Sequence, residues 1–301
     1  MATVGIIPSL IIGLREGIEA ALVIGIILGY LVKIERGHLK RYVFGGTVAA
    51  IGVSAVVAAT LFLLTIEFEG FGEQVFEGVA MLVAVAVLTS MVLWMMQASQ
   101  SIKVHVQERI DAVLNERQVV GLALLSFVVV LREGVETALF VFGAGALTSP
   151  FEAVVGVLLG LLVAAIVGVA IVRVSWRINL KRFFQATGLF LVVIAAGLFA
   201  HAVHELQKAF AWDLGAATLY DLTRVFPDDA SNVVGYLLRG IVGYNAAPTV
   251  LESAAYVAYW IVVVLVYLGI RTGKITVVSE PLRRAWHALS GRKGQPRADL
   301  E

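Results

Sequence analysis

The sequence has no cysteine among its 301 residues and only six prolines. Without cysteine there are no disulfides, thiolate metal sites, iron–sulfur clusters or cysteine nucleophiles. Charged residues are also scarce, at 15% of the chain, against about a quarter in a soluble domain. Hydrophobic residues make up 59%, and the mean hydropathy is +0.91. A chain of this composition buries its apolar surface in lipid, so the sequence predicts an integral membrane protein.

Seven apolar segments are long enough to cross a bilayer, which takes about 20 residues. They are residues 5–32, 42–66, 75–98, 119–146, 151–172, 183–207 and 249–270. No basic residues precede the first segment, so we interpret it as a retained helix rather than a cleaved signal peptide. The sequence therefore predicts an all-α membrane protein with seven transmembrane helices in a permease domain, residues 1–271. A cytoplasmic tail, residues 272–301, would follow it.

The distribution of basic residues predicts the orientation of the chain in the cell membrane. Most of the 23 lysines and arginines lie in three loops, residues 33–41, 99–118 and 173–182, and in the tail. By the positive-inside rule these segments are cytoplasmic, which places the N-terminus outside. The amphipathic stretch 101–117 is expected to lie on the cytoplasmic membrane surface. The largest outer loop, residues 209–248, is expected to contain a short surface helix.

One charged motif occurs twice. The segment SLIIGLREGIEAAL of span one recurs as SFVVVLREGVETAL in span four, with the serine, leucine, arginine, glycine and both glutamates at identical spacing. Spans one to three and four to six, about residues 1–98 and 119–207, are therefore expected to form two halves of a repeat. Because each half has three spans, an odd number, the sequence predicts a 3+3 inverted-topology repeat with one extra helix. In such transporters the halves meet at the substrate site.

The charged residues of this motif lie deep in the spans. Arg15 is about ten residues, or roughly 15 Å, into span one. A charge at that depth costs at least about 2.5–3.5 kcal/mol, so six of them need a shared function. Glu16 and Glu19 share a helix face, and Arg15 is spaced to pair with Glu19. Gly17 permits close approach of another helix. The corresponding residues of span four are Arg132, Glu133, Gly134 and Glu136.

The two motifs together would place four carboxylates and two guanidiniums in one dry pocket. An all-oxygen site suits iron, manganese, magnesium or calcium rather than copper(I). The arginines would orient the carboxylates through bidentate contacts. A competing interpretation is that Arg15–Glu19 and Arg132–Glu136 are only structural ion pairs, which would leave Glu16 and Glu133 unpaired.

A second group of polar residues lies at the outer ends of spans three and six. The candidate metal ligands of this outer mouth are Glu73, Glu77, His201, His204 and Glu205. Together with Glu67 and Glu69 in the loop before span three, they are predicted to concentrate cations at the outer side. A competing interpretation of the histidines is a hydrogen-bonded helix end, and Glu252 in span seven is interpreted as structural.

The doubled Arg-Glu-Gly-x-Glu motif resembles the oxidase-dependent iron permease family, which includes fungal high-affinity iron permeases and bacterial EfeU-type permeases. The stretch AHAVHEL in span six and GYNAAP before span seven belong to the same resemblance. The resemblance implies an iron importer, with iron as substrate and no permanent cofactor. It implies that Glu16, Glu19, Glu133 and Glu136 are the iron ligands. It also implies a separate extracytoplasmic oxidase or iron-delivery protein as partner.

Three other functions remain open from the residues alone. The same carboxylates would serve a carrier of another divalent cation, or a proton-coupled carrier of a cationic solute. They would also serve an intramembrane enzyme as acid and base, although two symmetric motifs do not offer the different environments that these roles need. A purely structural subunit is the third. No nucleotide-binding loop is present, and no nucleic-acid partner is expected.

Overall fold

The computed structural model describes residues 5–67, 70–98, 118–174, 180–229 and 231–272. Within these ranges the chain is helical and has no strand longer than a single β-bridge between Thr218 and Thr249. The seven long helices of this part are α1 (Ile6–Lys33), α2 (Lys40–Glu67), α3 (Phe71–Ala98), α4 (Gln118–Leu147), α5 (Pro150–Val174), α6 (Leu180–Ala209) and α8 (Val250–Arg271). A 3-10 turn (Gly37–Leu39) joins α1 to α2, and a short helix, α7 (Val233–Val242), precedes α8. The predicted surface stretch 101–117 and the tail after residue 272 lie outside the described residues.

Five of these helices, α2, α3, α5, α6 and α8, are long and apolar enough to cross a membrane. This confirms a multi-pass helical membrane protein. Helices α1 and α4 have 28 and 30 residues, but each contains the arginine and two glutamates of a motif. These charges set α1 and α4 apart from the other long helices.

The long helices pack in pairs. The most extensive contacts are between α1 and α5, between α2 and α4, and between α3 and α6. Helices α1 and α4 also contact each other, and α8 packs against α6. The motif-bearing helices therefore meet each other while each is supported by a helix that carries no motif.

The apolar core lies between α1, α3, α4, α6 and α8. Its fully buried members include Ile12, Leu88, Phe140 and Leu198.

Helix α2 lies outside this core and buries only a narrow strip of its surface against its neighbour. The buried strip contains Val43, Gly46, Ala50 and Ser54, whose spacing of three or four residues defines one helix face. On its other faces α2 exposes large apolar side chains, among them Val48, Val56 and Leu63, as a lipid-facing helix requires.

The segment between α6 and α8 is folded over the end of the bundle at which α6 ends and α8 begins. Its backbone is bonded to the chain that precedes α8, with Leu222 N donating to Ala246 O at 2.8 Å. The side chain of Asn232 caps the start of α7 by accepting from Val234 N. Helix α7 is capped at its end by Gly243, whose φ of 74° favours glycine. The sequence prediction of a short helix in this segment is confirmed.

Candidate functional site

The two motifs come together where α1 and α4 meet. Carboxylate oxygens of Glu16, Glu19 and Glu133 all lie within 4.8 Å of one another. All three residues are buried, and Arg15 beside them is fully buried. The structure therefore brings acidic side chains from both motifs into one cluster, in the interior of the helix bundle.

The motif glycines make this approach sterically possible. A Cβ atom built on Gly17 would lie 2.5 Å from the Cβ of Ala164 in α5. A Cβ built on Gly134 would collide with the side chain of Ser54 in α2. Each motif helix thus packs against its supporting helix at its own glycine, and the predicted close approach is confirmed.

Arg15 contacts both glutamates of its own motif. Its Nη1 donates to Glu16 Oε1 and, at 3.1 Å, to Met91 Sδ of α3. Its Nη2 is 3.8 Å from Glu19 Oε2. The predicted contact with Glu19 is therefore present, whereas the competing interpretation, in which Glu16 is left unpaired, does not fit these contacts. A fully buried guanidinium satisfies its donors inside the protein, and Glu16 is the carboxylate closest to it.

Arg132 follows the predicted pairing, but in a different environment. Its Nε donates to Glu136 Oε1 at 2.8 Å and lies 3.9 Å from Glu133 Oε1. The side chain of Arg132 is 45% exposed, whereas that of Arg15 is 0% exposed. The two motifs are therefore not equivalent, and the expected dry pocket is open on the Arg132 side.

Glu136 is the motif glutamate that the cluster does not include. Its carboxylate contacts Arg132, although its charge still acts on Glu16 and Glu19 across the helix interface. The sequence predicted four carboxylates in one pocket, whereas the structure clusters three and places the fourth beside them.

One oxygen of each motif glutamate lacks a hydrogen bond. Among the described residues, none donates to Oε2 of Glu16, Glu19, Glu133 or Glu136, and all four atoms are buried. A buried carboxylate oxygen without a donor is unfavourable. Four such oxygens around one interface provide a chemically suitable environment for a cation.

The outer-mouth residues lie in a different place. A cleft opens between the ends of α4 and α6, the start of α8 and the chain that follows α7. The cleft is lined by His201 and His204, as the sequence suggested, together with Lys208, Asn245 and Glu252. Glu205 lies beside His201, with its Oε1 3.8 Å from His201 Nε2, and accepts a hydrogen bond from Lys208.

The predicted acidic residues of α3 lie at the side of this group. Glu73 and Glu77 are in the first two turns of α3. The carboxylate of Glu77 interacts electrostatically with Glu205 and Lys208. Glu69 and the side chain of Glu67 lie outside the described residues. The structure thus brings the histidines together with Glu205, and leaves Glu73 and Glu77 out of the cleft lining.

Glu252, which was interpreted as structural from the sequence, and Asn245, which was not proposed as a site residue, both line the cleft. Glu252 is only 4% exposed, and Asn245 Nδ2 donates to both of its oxygens at 3.1 and 3.0 Å. Thr249 caps α8 by accepting from Glu252 N, which places this carboxylate in the first turn. The available signal was an acidic residue at the start of the last span, four residues after a proline.

An apolar layer separates the cleft from the motif cluster. Along α4, Leu147 lines the cleft, and Ala144 and Phe140 follow toward Glu136. All three apolar residues are at most 2% exposed. From Leu147 to Glu136 the helix rises by about 16 Å at 1.5 Å per residue. The cleft and the carboxylate cluster are therefore two distinct sites along one helix.

Another buried carboxylate has a structural partner. The hydroxyl of Tyr236 in α7 donates to Glu152 Oε2 of α5 at 2.5 Å. Burial, together with this hydrogen bond, raises the pKa of Tyr236 to about 12. The tyrosine therefore stays protonated at physiological pH, and the bond ties α7 to the start of α5.

Comparison with known proteins identifies the family. The Iron permease FTR1 family matches residues 6–280. A Yersinia pestis protein named Ferrous iron permease EfeU is 36% identical over 263 residues, which cover 87% of this chain and 92% of that protein. A protein of the same name from Escherichia coli O6:H1 is 34% identical over 257 residues, covering 85% and 92%. No solved structure matches the chain. With matches of this length, the chain belongs to the iron permease FTR1 family, whose members are transporters and not enzymes.

Proposed function

We propose that the protein imports ferrous iron across the cell membrane through the carboxylates of its two motifs. The observation that carries this proposal is the cluster of Glu16, Glu19 and Glu133, with Glu136 beside it. Each of these four residues has a buried oxygen that no described donor reaches. The names of the related permeases support ferrous iron as the substrate.

The charge of the site is matched to a divalent ion. Four ionised glutamates and two arginines carry a formal charge of −2, which one Fe²⁺ neutralises. An empty cluster would hold repelling carboxylates in a medium of low dielectric constant. The arginines limit this repulsion without filling the space, since Arg15 and Arg132 each contact two of the glutamates.

We infer that α1 and α4 also cross the membrane, which gives seven spans. Both are as long as the five apolar helices, and their motif glutamates are buried in the bundle, where they lie close to one another rather than to lipid. Intramembrane charges are tolerated in that arrangement.

The packing supports the inverted repeat. If α1, α2 and α3 correspond to α4, α5 and α6, then the α1–α5 contact and the α2–α4 contact are equivalent, and these are the two most extensive pairings. Individual close contacts correspond as well. They are Gly17 with Ala164 and Gly134 with Ser54, then Gly156 with Ser9 and Gly46 with Ser126. The two contacts of each pair have equivalent positions in the two halves: Gly17 corresponds to Gly134, Ala164 to Ser54, Gly156 to Gly46 and Ser9 to Ser126.

We infer from the basic loops that the N-terminus is outside and the tail cytoplasmic. The cleft then faces outward, and iron would pass from the cleft to the motif cluster and on to the cytoplasm. A separate extracytoplasmic oxidase or iron-delivery protein remains the expected partner. Manganese is the nearest alternative substrate, because an all-oxygen site accepts both ions.

The proposal is tested by uptake of radioactive iron into liposomes that contain the purified protein. Glu16→Gln and Glu133→Gln should each abolish uptake, because each removes a charge from the cluster while keeping the side-chain shape. Glu152→Gln is the matched control, since Glu152 is equally buried but bonded to Tyr236, and it should transport iron. Normal uptake by the Glu16→Gln/Glu133→Gln double variant would refute the proposal. Competition with manganese and zinc decides between iron and another divalent substrate.

A further inference from the structure

The outer cleft contains a pair of side chains with an unusual separation. His204 Nδ1 and Glu252 Oε2 are 3.6 Å apart, which is beyond hydrogen-bond reach. The Nδ1 atom is buried, and no described residue forms a hydrogen bond to it. A buried ring nitrogen beside a buried carboxylate, with no bond between them, is a feature that the motif cluster does not explain.

This separation suits two ligands of one metal ion. Imidazole nitrogen and carboxylate oxygen bind divalent transition metals at about 2.0–2.2 Å. With an angle of about 110–120° at the metal, such ligand atoms lie about 3.4–3.6 Å apart. A second imidazole, that of His201, lines the same cleft.

The basic residues of the cleft are already paired with other acids. Lys208 Nζ contacts Glu205 Oε1 at 3.0 Å, and Arg239 Nη1 contacts Asp228 Oδ2 at 3.4 Å. No lysine or arginine in the described part of the chain forms an ion pair with Glu252. Its carboxylate is instead held by the Asn245 amide, which orients it without neutralising its charge.

We propose that His204 and Glu252 bind a divalent transition-metal ion in the outer cleft, with His201 as a neighbouring ligand. This inference rests on the proposed iron import and names a second site on the same route. The ion would bind here first and then cross the apolar layer of Leu147, Ala144 and Phe140 to reach the carboxylate cluster.

The ligand types give this outer site a role that the inner cluster does not supply. Calcium and magnesium prefer all-oxygen ligands, which the motif glutamates provide. Imidazole favours iron and related transition metals over these hard ions. The outer site therefore selects transition metals before the ion reaches a cluster that would also accept calcium and magnesium.

The inference is tested by cobalt(II) binding to the full chain in lipid nanodiscs, followed by visible absorption. The Glu16→Gln/Glu133→Gln variant serves as background, so that the outer site is observed alone. This variant should still bind one cobalt ion, with the spectrum of mixed nitrogen and oxygen ligands. Adding His204→Gln or Glu252→Gln should weaken binding by about tenfold or more. Adding His38→Ala, a histidine of the 3-10 turn at the other end of the bundle, should not.

Two results would overturn the inference. One is a background variant that binds no cobalt; the other is cobalt binding that His204→Gln leaves unchanged. The His204 variant retains a polar side chain at a partly exposed position, so it provides the test even if Glu252→Gln does not fold.

Transport supplies an independent readout. In the native background, His204→Gln should raise the half-saturating iron concentration about tenfold and make uptake sensitive to millimolar calcium, with maximal uptake retained. A lower maximum with an unchanged half-saturation would mean that His204 has only a structural role. If the native chain imports no iron at all, the proposed function fails, while the cobalt titration still decides whether the outer site exists.

Discussion

The contact between Gly17 and Ala164 offers a sharp test of how the helix packing positions the carboxylates. In Gly17→Ala the new Cβ would lie 2.5 Å from the Cβ of Ala164, which is 0.9 Å closer than the 3.4 Å at which ordinary contact begins. Helices α1 and α5 must therefore separate by nearly 1 Å. Glu16 is adjacent to Gly17 in sequence, so the separation displaces the cluster.

The expected size of the effect follows from this displacement. A misplacement of about 1 Å at a reacting centre costs about 100-fold in rate, so maximal iron uptake should fall by about 10- to 100-fold. Overpacking should also destabilise the protein by about 1–3 kcal/mol. Uptake into liposomes and thermal unfolding in detergent measure the two effects separately.

A second substitution should reverse the first. Ala164→Gly removes the opposing Cβ, and the next nearest atom to the new methyl is Leu161 Cδ2 at 3.1 Å, the end of a flexible side chain. The Gly17→Ala/Ala164→Gly variant should therefore recover most of the uptake. Gly29→Ala is the matched control in the same helix, because a Cβ there meets nothing within 4 Å. Full uptake by Gly17→Ala, or no recovery in the double variant, would refute this account of the packing.

Further predictions follow from the unequal arginines, the orientation and the outer mouth. Arg15→Lys should reduce uptake more than Arg132→Lys, because an ammonium replaces a fully buried planar group in the first case and a half-exposed one in the second; equal losses measured in the same uptake assay would contradict this. Val225→Cys, at an outer position that is 81% exposed, should react with an impermeant thiol reagent added outside intact cells, and His38→Cys should not. The native chain has no cysteine, so the reagent labels only the introduced one. Labelling of His38→Cys but not of Val225→Cys would contradict the proposed orientation. Glu77→Gln should raise the half-saturating iron concentration at low salt only, because it removes a charge near the mouth without removing a ligand.

The position of the site was predictable because its signal is local. The motif spacing places Glu16 and Glu19 on one face of α1, and the recurrence of the motif indicates that α4 carries an equivalent set. The close packing at Gly17 and Gly134 was likewise predictable, since a missing side chain in an apolar helix indicates a neighbouring backbone. These inferences depend only on helical periodicity and on the cost of burying charge.

The inequality of the two motifs was not predictable. The sequence around Arg15 and Arg132 is nearly the same, yet one guanidinium is fully buried and the other is half exposed. The difference arises from the helices beside each motif, because Met91 of α3 contacts Arg15. Neighbours of this kind are distant in sequence, and nothing in the motif itself specifies them.

The outer cleft shows the same division. His201, His204 and Glu205 share a helix and could be grouped from their spacing, whereas Glu252 joins them only because α8 packs against α6 and its N-cap at Thr249 turns the carboxylate inward. The sequence alone determined the membrane class, the recurrence of the charged motif and the family resemblance, because composition and short-range periodicity are properties of the chain. Only the tertiary structure decided which glutamate lies closest to Arg15, which three carboxylates cluster and which acid faces His204. Those outcomes depend on distances between helices, and local spacing does not encode them.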